Sequence, residues 1–446
     1  MGVAARRLRL GAPAVKSMRH LYSALMYLLS PIAFAMVLWR GLRNRGYWAG
    51  LSERFGFGAP PDGVGRRTVW VHAVSLGEVT AAAPLIRALR ERHPQVAVVL
   101  TTATPTGRAR AKALFGDGIA VRFLPYDTPG SMRRFVTRIG PQLAIVMETE
   151  VWPNLFHQCR RRGIPVVLAS ARLSSTSVAW YQRFGGLFRD VFSDNTLVAA
   201  QSTEDAERFI SIGAPRARTC VIGNVKFDVE IDPAAIEHGL ELRSRCWDGR
   251  PVWIAGSTHA GEEELVLTAH ASLQAHAAGV LLLLVPRHPE RFQSVADLVG
   301  RRGFRFERRS SANPVRPDSH VLLVDTVGEL AALYASVDVA FVGGSLVPVG
   351  GHNLLEPAAL GVPVITGPYQ SSGKEIARLL LQEGAALQVA DAAELAAVLR
   401  QLFADPARRA AVGDSGRRVV DANRGSVARL FELIAPLLAE APPTSP

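Results

Sequence analysis

The residues best placed for chemistry in this sequence are charged groups that follow strand-like runs. Glu78 closes the stretch Thr68-Val-Trp-Val-His-Ala-Val-Ser75-Leu76-Gly77-Glu78. Residues 68–74 are apolar and β-branched enough for a buried parallel strand. Ser75 and Gly77 permit a sharp exit, and residues 79–92 have helical spacing. Glu78 therefore falls at the carboxyl end of a strand and the amino end of a helix, where open α/β sheets hold their ligands. A helix amino terminus lowers a glutamate's pKa and burial in an apolar cleft raises it. Glu78 thus reads either as a proton acceptor or as a helix cap. Glu148 and Glu150 follow another apolar run, in Met147-Glu148-Thr149-Glu150-Val151-Trp152-Pro153-Asn154. Pro153 suits a first helical turn, so one glutamate is expected to cap that helix and the other to face a cleft; period alone does not assign them. Lys226, in Gly223-Asn-Val-Lys226-Phe-Asp228, ends a further strand. It reads as a cation for a phosphate leaving group or as a surface lysine.

The second half carries groups suited to anions. Pro286-Arg287-His288-Pro289-Glu290-Arg291 ends a leucine-rich run, and its two arginines suit a phosphate or carboxylate clamp. Asp325-Thr326-Val327-Gly328-Glu329-Leu330 reads as a capped helix start whose N–H groups can hold an anion. The richest segment runs from Gly343-Gly344-Ser345 to Gly350-Gly351-His352-Asn353-Leu354-Leu355-Glu356-Pro357. Paired glycines let backbone approach a phosphate closely, and Glu356 can accept hydrogen bonds from both hydroxyls of a ribose. Residues 101–107 offer hydroxyls and N–H groups at a turn, for a polar substrate or for a simple cap. Other residues have plainer readings. His72 is a core histidine, the leucine run 281–284 is core, and the basic run 301–309 is a solvated face. His259 and His352 lack partners at metal-ligand spacing. Cys159, Cys220 and Cys246 are far apart, which argues for a reducing compartment and against a cysteine-based zinc site. Neither metal nor cofactor is expected.

These groups need a scaffold, and the pattern supplies one. Strand-like runs at 69–74, 96–100, 120–124, 143–147, 166–169 and 196–200 alternate with helical stretches, the signature of a doubly wound α/β sheet. After a polar stretch near 228–250 a second series follows at 252–255, 280–285, 321–324, 339–342 and 362–365. Two Rossmann-like domains facing a cleft suit a large two-part substrate. At 446 residues two domains are the default. The boundaries read as 1–45, 46–228 and 229–446, with a Gly/Pro-rich connector at 56–65. The final helical stretch, 412–438, is long enough to pack across both halves.

Residues 1–45 form a basic and apolar start. Residues 21–39 carry no charge, and Arg6, Arg7, Arg9, Lys16, Arg19, Arg40, Arg43 and Arg45 flank them. With no small-residue cleavage site after the run, a signal peptide is the weakest reading. A membrane anchor is expected, and whether it spans the bilayer or lies in the interface stays open. The net charge of +12 points to a polyanionic partner. With no nucleic-acid-binding signature, an anionic membrane ranks above nucleic acid.

Taken in order, these segments resemble the 3-deoxy-D-manno-octulosonic acid (Kdo) transferases of Gram-negative envelope synthesis. The resemblance covers the basic apolar start, residues 72–78, 104–107 and 148–154, Ala171-Arg172-Leu173-Ser174, Lys226-Phe-Asp228, and residues 286–292 and 343–356. It implies a glycosyltransferase B fold and inverting transfer of Kdo from CMP-Kdo to lipid IVA at the cytoplasmic face of the inner membrane. It also implies Glu78 as general base, with Glu148 and Lys226 stabilising the transition state. Pro286, Arg287, Val327, Gly328, Glu329, Asn353, Leu354, Leu355 and Glu356 fall on the family's CMP-binding positions. Two departures stand out: Leu354 replaces a frequent proline, and Gly367-Pro368 leads into Tyr369-Gln-Ser-Ser-Gly instead of a nearby Asn-Phe pair. A UDP-sugar transferase or epimerase of the same fold, and a non-catalytic membrane-bound nucleotide-binding protein, are the competing readings.

Overall fold

The structure is a computed structural model and describes residues 12–58, 67–189, 191–192, 195–247, 249–277, 279–311 and 315–439. The first eleven residues, most of the 56–65 connector and residues 440–446 lie outside the described residues.

The alternating pattern resolves into two seven-stranded parallel sheets. In the first, β1 (Thr68–His72), β2 (Ala97–Thr102), β3 (Ala120–Phe123), β4 (Leu143–Met147), β5 (Val166–Ala171), β6 (Thr196–Ala200) and β7 (Thr219–Val221) take the order β3-β2-β1-β4-β5-β6-β7. Val69 pairs with Val98 on one side and Leu143 on the other. In the second, β8 (Val252–Thr258), β9 (Leu281–Pro286), β10 (Phe306–Arg308), β11 (Val321–Leu323), β12 (Val339–Val342), β13 (Val364–Thr366) and β14 (Ala386–Gln388) take the order β10-β11-β9-β8-β12-β13-β14. Each three-residue strand that the pattern left out, β7, β10 and β14, lies at a sheet edge, where one partner suffices and alternation is lost.

Helices cover both faces, so central strands read as unbroken apolar runs. Val69 and Val71 pack into the cluster of α2 (Leu76–Arg92), whereas Trp70 points the other way, against Phe135. The helices after β1, β2 and β3 are started by side-chain caps. Ser75 opens α2, Thr104 opens α3 (Pro105–Phe115) and Thr128 opens α4 (Pro129–Ile139), each accepting the N–H three residues on. Pro105, Pro129 and Pro153 occupy first-turn positions of α3, α4 and α5 (Pro153–Arg161).

The chain divides into two compact units, 12–228 with 425–439, and 229–424. Two expectations are corrected here. The stretch 412–438 is not one helix: it breaks at Arg424-Gly425, with Gly425 at φ 88°, into Pro406–Asn423 and Ser426–Ala439. Nor does the second domain run to 446. Leu430, Phe431, Ile434 and Leu438 bury themselves beside Val69, Ile145 and Leu85 of the first unit. Asp228 fixes this return by accepting the N–H groups of Gly425 and Val427 at the new helix start.

Before the first sheet comes α1 (Ala12–Arg43), whose segment Met18–Arg43 is long and apolar enough to cross a membrane. It rests against α5 and the short helix Gly185–Arg189.

Candidate functional site

In the first unit the strand order reverses between β1 and β4, the switch point at which open α/β sheets bind ligands. Glu78 and Glu148 leave these two neighbouring strand ends. Ser75 caps α2 by accepting the Glu78 N–H at 3.3 Å, and the Glu78 carboxylate folds back. Its Oε2 accepts the Val74 N–H at 2.9 Å and its Oε1 accepts the Ser75 hydroxyl at 3.2 Å. Glu78 therefore takes part in the helix start and is also a titratable site group. Burial pushes its carboxyl up to about 7, and the Glu148 and Glu150 charges push the same way against its hydrogen bonds. Desolvation outweighs the hydrogen bonds that favour the charged form, and the group is poised near neutrality, a range suited to acid–base work. Residues 101–107 act as its buttress. The Thr102 hydroxyl donates to Val74 O at 2.8 Å, and a Cβ on Gly107 would lie 2.4 Å from that hydroxyl oxygen. His72 is fully buried beside Thr101, with its pKa pulled down to about 4 by burial, a core histidine.

Glu148 follows β4 with φ 54°, in the left-handed region that a non-glycine residue rarely adopts. Lys226 Nζ lies 2.6 Å from its Oε1, and Arg172 Nε lies 3.4 Å from its Oε2. Lys226 rides on a short 3-10 turn, Val225–Phe227, whose start is capped by Asn224. It is ion-paired, not a lone surface lysine. Arg172 follows β5, and its carbonyl accepts the Thr149 hydroxyl at 2.6 Å. Glu150 accepts from the Trp152 indole at 2.8 Å, and burial raises its carboxyl. The expectation that one of the two glutamates caps α5 is corrected. The cap is Asp127, which accepts the N–H groups of Asn154 at 3.0 Å and Leu155 at 2.8 Å. It comes from the far side of α4, where no local pattern reveals it.

In the second unit the corresponding reversal lies between β8 and β12. Pro286 is the last residue of β9 and Arg287 follows it, residues 327–329 follow β11 and residues 353–356 follow β12, so all lie at or beyond carboxyl ends on this part of the sheet. The glycines do not form an open phosphate cradle, which corrects that reading. Glu262, fully buried, accepts the N–H groups of Gly344, Ser345 and Leu346 at 2.7, 3.0 and 2.9 Å. Gly350 and Gly351 donate theirs to Gly344 O. An internal carboxylate thus fills the nest and shapes the loop. Nothing in the sequence marked Glu262 beyond its place at the start of the helix Glu262–Gln274.

The two-arginine clamp is corrected as well. Arg291 forms two hydrogen bonds, of 2.5 and 3.0 Å, to the buried carboxylate of Glu263. Arg287 is exposed, and among the described residues its side chain forms no hydrogen bond or ion pair. His259 and His352 stack with their Nε2 atoms 2.8 Å apart; burial, then the charge of His259, then that of Arg287, hold His352 at about 4. Asp325 does not cap a helix. It accepts from the Ser310 N–H and hydroxyl, and the helix Leu330–Ala335 has no side-chain cap. Glu329 accepts from Arg309 Nε at 2.9 Å, so the basic run 301–309 is more than a solvated face. Val327 is exposed and Gly328 sits at φ 98°. Asn353 donates to Glu356 Oε1 at 3.1 Å and accepts the Leu355 N–H, while the Leu354 and Leu355 side chains are buried. The divergent segment after Gly367-Pro368 packs on the same loop, with Tyr369 N–H donating to Ser345 O and Ser372 N–H to Gly350 O.

Residues 49–229 match a family model described as 3-deoxy-D-manno-octulosonic-acid transferase (kdotransferase), and residues 253–419 match one described as glycosyl transferases group 1. The chain is 40% identical over 428 residues to a 3-deoxy-D-manno-octulosonic acid transferase of Haemophilus influenzae, covering 94% of this chain and 99% of that one. It is likewise 40% identical over 428 residues to the protein of that name from Bordetella pertussis, covering 93% and 98%. A crystal structure of UDP-GlcNAc 2-epimerase from Neisseria meningitidis matches with a TM-score of 0.54 at 13% identity, over 84% of this chain and 100% of that one, a likeness of fold.

Proposed function

The chain belongs to the Kdo transferase family, and on that premise we propose that it transfers Kdo from CMP-Kdo to lipid IVA with Glu78 as the general base. It is a glycosyltransferase built on the glycosyltransferase B pattern of two Rossmann-like parallel sheets. The observation that supports the role of Glu78 is its place at the β1/β4 switch point combined with a pKa of about 7. A base of that pKa is substantially ionised at neutral pH and still basic enough to accept a proton in the transition state.

Glu78 would take the proton of a glucosamine hydroxyl as that oxygen attacks the anomeric carbon of Kdo. The bond from that carbon to the phosphate oxygen breaks, CMP leaves, and the configuration inverts. Positive charge develops at the anomeric carbon, where the Glu148 carboxylate would stabilise it, and negative charge develops on the departing phosphate, which Lys226 would offset. The ion pair between them supports this division, because each group already holds the other in place. Arg287 is the cation available for the nucleotide phosphate, and Glu356, oriented by Asn353, is the acceptor available for ribose hydroxyls. Pro286, Leu354 and Leu355 are buried and would contribute backbone, as would the turn of exposed Val327 and Gly328 and half-buried Glu329. The lipid acceptor accords with the start of the chain, which carries eight cations and no acidic residue before Glu53. On this reading the chain works at the cytoplasmic face of an anionic inner membrane, the charge supporting the attraction to anionic lipid, and nucleic acid has no part in it.

The test is Glu78→Ala. Transfer of Kdo to lipid IVA, followed by mass, is expected to disappear while CMP-Kdo still protects the variant from thermal unfolding. Undiminished transfer would refute the assignment. Protection of the wild type by UDP-sugars but not by CMP would instead favour a UDP-sugar enzyme.

A further inference from the structure

We propose that α1 lies flat on an anionic bilayer, with the first unit mounted along its length, and does not cross the membrane. This deepens the membrane part of the function proposed above and rests on it. Length and composition allow α1 to span; its contacts argue otherwise. Residues 18, 19, 22, 23, 26, 30, 33, 34, 37 and 41 are its less exposed positions among those described, a single stripe that recurs every three or four residues along the helix. That stripe is tied to the folded unit. The Tyr22 hydroxyl donates to Asp127 Oδ2 at 2.9 Å and the Ser23 hydroxyl to Asn154 Oδ1 at 2.9 Å. The Tyr27 hydroxyl accepts the Gly130 N–H at 3.1 Å. The Phe34 ring meets Phe55 edge-on at 5.1 Å, and Phe55 O is held by Arg134 of α4. From Tyr22 to Phe34 the axis runs about 18 Å at 1.5 Å per residue. The residues left after Phe34 reach only about 14 Å, against a hydrocarbon core of about 30 Å. A spanning α1 would have to leave these contacts, stripping Asp127 and Asn154 of buried partners.

The opposite face fits lipid. Leu21, Leu28, Ile32, Met36, Trp39 and Leu42 are each more than half exposed. Between residues 18 and 52 the charges are Arg19, Arg40, Arg43 and Arg45, with no acid. Arg43 lies 5.2 Å from the Trp39 ring, an aromatic and cationic pairing suited to the headgroup level. Trp180 and Phe184, just ahead of the short helix on which α1 rests, are also exposed. The partner is therefore the surface of an anionic bilayer. One consequence reaches the site: Asp127 binds Tyr22 of α1 and caps α5, the helix that follows Glu148 and Glu150. The depth of α1 would thereby set the height of that loop above the lipid.

Nitroxide labels at Leu21→Cys, Leu28→Cys, Ile32→Cys, Met36→Cys and Leu42→Cys, singly and in the full-length chain with Cys220→Ser and Cys246→Ser, test this directly. Depth is read by power saturation on vesicles of phosphatidylethanolamine and phosphatidylglycerol. All five labels are expected in one shallow band, about 5–10 Å into the headgroup and acyl boundary. A depth profile that reaches about 15 Å near Ile32 and falls towards both ends would mean a spanning helix, overturning the proposal while leaving membrane association intact. Failure to bind the vesicles would overturn both.

Discussion

Lys226 Nζ lies 2.6 Å from Glu148 Oε1, and the two side chains keep only 28% and 14% of their exposure. They come from different strand ends, 78 residues apart in sequence. Glu148 also holds a left-handed backbone, so the pair retains a residue in a conformation that costs energy on its own.

Removing one partner leaves a mostly buried charge with weaker compensation from Arg172. Lys226→Met is expected to lower stability by about 1–3 kcal/mol, and Glu148→Gln in the same background to restore part of it, a coupling typical of contacting charges. Urea unfolding of the two single variants and the double variant measures that coupling. Strict additivity would mean that the pair is not energetically joined.

Glu78 ties stability to pH. Its folded-state pKa, about 7, lies above its ordinary value of 4.5, so the folded protein holds the proton more tightly than the unfolded chain. Its contribution is present below pH 4.5 and is lost as pH rises through 7. Glu78→Gln, which cannot ionise, is expected to match the wild type near pH 4.5. At pH 8 it should be more stable by on the order of 3 kcal/mol. Asp127 has its pKa raised to about 7 by burial as well, but it is present in both proteins and cancels in the comparison. Thermal unfolding at the two pH values is the measurement.

Arg287 and Arg291 are four residues apart, yet their substitutions should fail in opposite ways. Arg291→Ala strands the buried Glu263 carboxylate and is expected to cost about 3–5 kcal/mol of stability. Arg287→Ala removes an unpaired, exposed cation and should change stability by less than about 0.5 kcal/mol, while weakening CMP-Kdo binding at least tenfold. Unfolding curves and donor titration separate the two.

Glu262 shapes the glycine loop through three of its N–H groups and also accepts that of His259 at 3.2 Å. Glu262→Ala leaves these donors buried and unpaired, at about 1–3 kcal/mol for each that finds no water. Donor binding should fall with stability, whereas Glu262→Gln, which keeps one acceptor oxygen, should lose less of both. Equal losses for the two variants would argue against the hydrogen bonds as the cause.

Much of this was legible in the residues. Apolar runs marked the central strands because those are buried on both faces, and Ser75 with Gly77 marked the turn that delivers Glu78. Partnerships distant in sequence were not legible. Asp127 caps α5 from beyond α4, Glu262 reaches the glycine loop from 82 residues away, and Glu263 takes Arg291 from 28 away. Each is a carboxylate whose partner is set by topology, which local period does not encode. The return of residues 425–439 to the first unit was hidden for the same reason: the contacts that hold it there, Asp228 on Gly425, Arg67 on Leu438 O and His93 on the Phe431 ring, join residues about 200 to 370 apart in sequence. In α1 the charge-free run was visible, but the tie from Tyr22 to Asp127 was not.

The most direct test of Glu78 as base is the pH dependence of kcat/KM for Kdo transfer to lipid IVA, measured for the wild type and for Glu78→Gln. The wild-type rate should fall tenfold per pH unit below an apparent pKa near 7. Glu78→Gln should lose that limb together with at least about 100-fold in rate. A variant that keeps the wild-type rate, or keeps the same acidic limb, would place the base elsewhere.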